Sequence, residues 1–139
     1  MKTKESLELV EDILEKLRLE NVQVPIVVEG EKDITALHKL GIQGVVISIN
    51  RGKSLTDFCD WLAEHYTEII ILTDWDRRGG HLCRILMKNL EGRVKYYTSF
   101  REALAKHATI RKVEGLPSWI ETIKAKVNQG KEPSIVKEK

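Results

Sequence analysis

The sequence predicts a doubly wound α/β domain, with a mainly parallel sheet of about four strands in the order 2-1-3-4 and helices on both faces. Three observations lead there. Strand-length apolar runs alternate along the chain with helix-length amphipathic ones. The central runs "VPIVV", "GVVISI" and "EIIILT" are continuously apolar, as strands covered on both faces are, rather than alternating. Glycines and capping residues fall between these segments, where a βαβ chain must turn.

Each element can be justified in order. Over residues 4–20, Leu7, Val10, Ile13, Leu14 and Leu17 recur at three- and four-residue steps, the stripe of an amphipathic helix. "VPIVV" is the first strand, and "EKDITALHKL" is a helix closed by Gly41. "GVVISI" is the second strand. "SLTDFCDWLAEHY" follows as a helix, with Ser54 and Asp57 at capping-box spacing. "EIIILT" is the third strand, and a helix from Arg78 to Leu90 sets Leu82, Leu86 and Leu90 on one face. "VKYYT" is a fourth strand, "FREALAKHA" a short helix, and "IRKV" reads as a fifth strand. Pro117 suits the first turn of a last helix that buries Ile120, Ile123 and Val127. The tail from Gln129 to Lys139 is polar and is expected to fray. The organisation is an N-terminal helix (1–23), a core (24–115) and a C-terminal helix and tail (116–139), all within one domain.

A chain of 139 residues is long enough to bury a real core. With 42% apolar and 32% charged residues, its composition is that of an ordinary soluble domain. A net charge of +2 does not by itself argue for a nucleic-acid partner, so that case must rest on local clusters. Cys59 and Cys83 lack metal-type spacing and read as reduced, packed thiols. No long apolar run marks a leader or a membrane span, so a cytoplasmic location and no membrane partner are expected.

Function in such sheets gathers at the carboxyl ends of the strands. The first strand ends in "VVEGEKD" and the third in "LTDWDRRGG", which puts Glu29, Asp74 and Asp76 at one sheet edge. In a 2-1-3-4 order they converge. Two like charges about 4 Å apart repel by roughly 4 kcal/mol at an effective dielectric near 20, and a divalent cation offsets that repulsion. Hard oxygen donors without a buried base suit magnesium, or manganese. Each residue also has a plainer reading: Asp76 as a helix cap, Asp74 as a strand-end turn residue, Glu29 as a first-turn acid favoured by the helix dipole. Gly30 permits a tight strand-to-helix turn, and Gly79 and Gly80 let backbone approach a ligand.

"NRGKS", residues 50–54, is not a phosphate loop, because the position five before Gly52 is Ile47 rather than glycine. It leaves Arg51 and Lys53 beside a helix N-terminus, as a site for phosphate oxygens or as a solvated basic turn. His81 reads as an incidental helix-surface residue, with a phosphate contact as the alternative. Trp75 reads as a packing residue, with base stacking as the alternative.

"VVEGEKD" followed by "LTDWDRRG" resembles the Toprim domain of topoisomerases, primases and certain nucleases. Glu29-Gly30 matches that family's Glu-Gly after the first strand, Asp74-x-Asp76 its Asp-x-Asp after the third, and Asp33 an acidic residue often found four positions after the glutamate. The likeness spans residues 24–115. It is to small stand-alone archaeal Toprim proteins and to the bacterial nuclease that trims the precursor of the small ribosomal RNA of the large subunit.

The resemblance implies Mg2+-dependent (or Mn2+-dependent) phosphodiester chemistry on nucleic acid, with cleavage of RNA or DNA as the leading expectation. It makes Glu29 a catalytic acid or base, or a further metal ligand, Asp74 and Asp76 metal ligands, and Asp33 a supporting residue. Gly30, Arg51, Lys53, Arg77, Arg78 and Gly79 would hold the nucleic acid. There is no room for a gate domain or a zinc module, so strand passage and autonomous priming are not expected. The competing expectation is a metal-dependent nucleic-acid-binding or scaffolding subunit whose protein partner supplies the rest. A phosphotransferase fits less well, since its aspartates usually follow the first strand.

Overall fold

The computed structural model describes residues 3–49 and 52–135. Its elements are α1 (Thr3–Glu20), β1 (Ile26–Val28), α2 (Glu31–Lys39), β2 (Val46–Ser48), α3 (Leu55–His65), β3 (Glu68–Ile71), α4 (Arg77–Leu90), β4 (Lys95–Tyr97), α5 (Ser99–His107), a 3-10 turn (Val113–Gly115) and α6 (Leu116–Ile135). Four parallel strands form one sheet in the expected order β2-β1-β3-β4. β1 is central and pairs Ile26 with Val46 on one side and with Ile70 on the other.

The two-residue period of the strands divides the core. Ile26, Val28, Ile70 and Leu72 face a layer built from α1, α2, α5 and α6, with Leu14, Leu17, Leu37, Leu104 and Trp119. Val27, Ile69 and Ile71 face the other layer, where α3 and α4 supply Phe58, Cys59, Leu62, Leu86 and Leu90. Each fully buried side chain of this size contributes about 1.5–3 kcal/mol relative to exposure, so strands of three or four residues suffice when both faces are covered. The N-terminal helix belongs to this core: Leu7, Val10, Leu14 and Leu17 are buried in the same cluster as β1. Both cysteines are free and buried.

Three expectations need correction. No strand forms at residues 110–113; the segment runs as coil into the 3-10 turn. Its polar backbone groups bond to the end of β3 instead of to an edge of the sheet. Leu82 does not share the buried face of α4: Cys83, Leu86 and Leu90 do, while Leu82 is only half-buried. The last helix continues to Ile135, past the point where fraying was expected, and residues 136–139 lie outside the described residues. No helix among the described residues is long and apolar enough to cross a membrane.

Candidate metal centre

Parallel strands end together, and the ends of β1 and β3 bring Glu29 beside Asp74. Glu29 Oε2 accepts a 2.9 Å hydrogen bond from the Asp74 amide, across 45 residues of sequence. One carboxylate oxygen from each of Glu29, Asp74 and Asp76 lies within 4.8 Å of the other two. Asp74 is buried, and Glu29 and Asp76 are half-buried.

The three carboxylates are held in the same way. Glu29 bonds the Asp74 amide, Asp76 Oδ1 accepts from the Gly79 amide at 2.8 Å, and Asp74 Oδ1 accepts from the Val113 amide at 2.8 Å. Each uses one oxygen to accept a backbone N–H and has no other hydrogen-bonded partner for the second among the described residues. Three fixed carboxylates that each bring one oxygen within 4.8 Å of the other two form a hard donor set that fits a magnesium-like cation. Asp76 is thus also the N-cap of α4, so its plainer reading holds alongside the metal reading.

The electrostatics record the crowding. Burial pushes the Asp74 carboxyl from an ordinary 3.8 up to about 6, and the charges of Glu29, Asp33 and Asp76 add to that, against the Val113 hydrogen bond. Burial likewise raises Asp33, with the Glu114 charge adding to it. Asp33 Oδ2 accepts from the Gly30 amide at 3.0 Å, bracing the first turn of α2 next to Glu29.

The glycines divide by cause. A Cβ on Gly79 would sit 1.8 Å from the Asp74 carbonyl oxygen, so Gly79 is there to let α4 start against the strand end. Thr73 reinforces that closeness by donating to the Gly79 carbonyl at 2.8 Å. Around Gly30 nothing lies within 4 Å of where a Cβ would be, and its backbone is extended. Packing therefore does not demand glycine at position 30, where the backbone opens onto a cleft.

That cleft, of about 710 Å³, includes Glu29, Gly30, Asp33, Asp74 and Asp76 in its walls. Lys53 and Arg78 line it as well; Arg77 is exposed on α4 but does not. Arg51 lies outside the described residues. His81 is exposed on α4. Trp75 is partly buried against the core, and its indole N–H donates to the Ile110 carbonyl, which makes it a packing residue.

Sequence reasoning missed Arg101 and the segment after α5. Arg101 donates from Nη2 to the Asp74 carbonyl at 2.9 Å and from Nε to the Thr73 carbonyl at 3.1 Å, clamping the end of β3. Its only trace in the sequence is a cation beside the apolar stripe of α5. Lys112 and Glu114 also line the cleft, in a segment whose apolar ends, Ile110 and Val113, imitate a strand.

A parallel sheet in this order, with a Glu at the end of β1 and an Asp-x-Asp at the end of β3, defines a metal-dependent domain class. The Toprim domain family matches residues 24–113, and the chain belongs to that family. Toprim domains generally bind a divalent metal, and the family's function is metal-dependent and nucleic-acid-related. Among its relatives is UPF0292 protein TV1259 of Thermoplasma volcanium, 38% identical over 110 residues, covering 78% of this chain and 92% of that relative. UPF0292 protein MJ1624 of Methanocaldococcus jannaschii is 31% identical over 123 residues, covering 86% of this chain and 96% of that one. The chain is thus similar to small archaeal UPF0292 proteins. A solved structure of a protein from Aquifex aeolicus shares the fold, with a TM-score of 0.65 and 28% identity over 74% of this chain and 94% of that one.

Proposed function

We propose that this chain is a Mg2+-dependent nuclease, cleaving RNA or DNA at the carboxyl edge of its sheet. The observation that carries the reading is the triad of Glu29, Asp74 and Asp76, whose carboxylates come together in an open cleft that Lys53 and Arg78 also line. The walls of the cleft carry six carboxylates against four basic groups, so a phosphate enters favourably when a divalent cation has offset the excess.

Asp74 and Asp76 would hold the cation, with Glu29 kept beside it as the base rather than bound to it. A bound cation would supply charge to a phosphoryl oxygen and to the leaving oxygen. Lys53 and Arg78 hold the flanking phosphates, assisted by the exposed Arg77. The free oxygen of Glu29 takes the proton of the attacking water. A bond forms from that water oxygen to phosphorus, the bond to the leaving oxygen breaks, and solvent protonates the leaving oxygen. Gly30 keeps side-chain bulk out of the path of the substrate.

The test is incubation of purified protein with labelled RNA and DNA pools, with and without magnesium. Cleavage that requires the metal and is lost in Glu29→Gln supports the nuclease. General acid–base groups typically contribute about 10²–10⁴-fold in rate. The acidic excess of the cleft favours one second reading, a metal-dependent binding or scaffolding subunit. Metal-dependent binding by the wild type without cleavage of any pool would select it.

A further inference from the structure

The segment between α5 and α6 is a strap laid across the carboxyl edge of the sheet. It is tied down where the metal motif lies. The Trp75 amide donates to the Arg111 carbonyl at 2.9 Å, and the Val113 amide donates to Asp74 Oδ1 at 2.8 Å. The Trp75 indole holds the Ile110 carbonyl, and the Trp119 indole donates to Thr109 Oγ1 at 2.8 Å. Lys112 is the residue between the two central ties, so both of its neighbours are bonded to the Asp74-Trp75 pair. Its backbone is extended, its side chain is exposed, and it lines the cleft. No carboxylate among the described residues pairs with it; the ion pairs found there involve Lys16, Arg93 and Lys124. A cation anchored this firmly to an acidic motif, without a partner of its own, is placed for an anion that arrives from outside.

We propose that Lys112 is a phosphate-binding residue of this cleft, presented by the strap, in addition to the helix-borne Arg78. The inference rests on the nucleic-acid reading above and adds a contact that the Glu-Gly and Asp-x-Asp motifs do not contain. The ligand is a nucleic-acid backbone phosphate next to the one at the metal. Because a lysine contacts phosphate as a point charge, Lys112 contributes to affinity and not to base preference.

The test is equilibrium binding of labelled single-stranded RNA and DNA in calcium, across a salt series, by wild type, Lys112→Gln, Lys112→Arg and Lys88→Ala. Lys88 is exposed in the last turn of α4, away from the cleft. Lys112→Gln keeps a flexible polar side chain, somewhat shorter than lysine, and loses the charge. It should weaken binding by a similar factor on every sequence, and lower the slope of log K against log salt by about 0.7. Lys112→Arg should restore both, and Lys88→Ala should change neither. A wild-type affinity and slope in Lys112→Gln would overturn the proposal, as would a Lys112→Arg protein that binds as weakly as Lys112→Gln. If the wild type binds neither nucleic acid, the reading of the whole site falls and this inference falls with it. That result is distinct from binding that is indifferent to Lys112.

Discussion

Asp74 does two jobs that conflict unless a cation is present. It anchors the strap through Oδ1, and it holds a negative charge in a buried, acidic place. Its folded pKa, about 6, lies above its ordinary 3.8. Below the lower value both the folded and unfolded states are protonated, and no penalty arises. As pH rises from about 4 to about 6 the unfolded chain releases its proton first, so stability is lost across that window and stays lost above it. The shift corresponds to on the order of 2–3 kcal/mol. Asp74→Asn keeps an oxygen for the Val113 amide and removes the charge. Without metal it should melt higher than wild type at pH 7 and about equally at pH 4, as thermal melts at the two pH values would show. A lower melting temperature at pH 7 would mean that the charge itself supports the fold. Asp76→Asn, which keeps a good cap for α4, should fold normally and bind metal less tightly, readable by calorimetric titration.

At the scale of elements, the start of α4 and the turn into α2 should respond differently to the same change. Gly79→Ala drives a Cβ into the Asp74 carbonyl, so α4 must move off the strand end. We expect a loss of about 1–3 kcal/mol in denaturant unfolding, together with loss of metal binding. Gly30→Ala meets nothing within 4 Å and should leave unfolding unchanged within about 0.5 kcal/mol, while weakening nucleic-acid binding if phosphate passes close to that backbone. The strand order and the meeting of Glu29 with Asp74 were legible in the sequence because continuous apolar runs and strand-end acids report on the sheet itself. The strap was not legible. Residues 110–113 satisfy their backbone through Asp74 and Trp75, thirty-five or more residues away, and no local periodicity encodes such bonds. Arg101 was hidden for the same reason, since its role depends on carbonyls 27 and 28 residues earlier.

For the molecule as a whole, a metal held by the proposed site would be linked to the fold. A ligand that binds only the native state stabilises it by about 2.7 kcal/mol at a hundred times its dissociation constant. Magnesium should therefore raise the melting temperature of the wild type at pH 7.5 and leave that of Asp74→Asn nearly unchanged. At pH 5, where Asp74 holds its proton, the magnesium effect on wild type should shrink. A scan of melting temperature against magnesium at both pH values checks this. An equal magnesium effect at both would remove Asp74 from the ligand set.

The tie between Asp74 and Val113 also bears on biosynthesis. All three acidic residues leave the ribosome well before Val113 does, yet Asp74 has no partner for its buried oxygen until that amide arrives. A nascent or prematurely terminated chain ending within α5 would carry the whole Glu-Gly and Asp-x-Asp signature while its site remained unassembled. Closing the site therefore waits on the strap, because the Asp74 carboxylate gains its backbone donor only once residue 113 has been added.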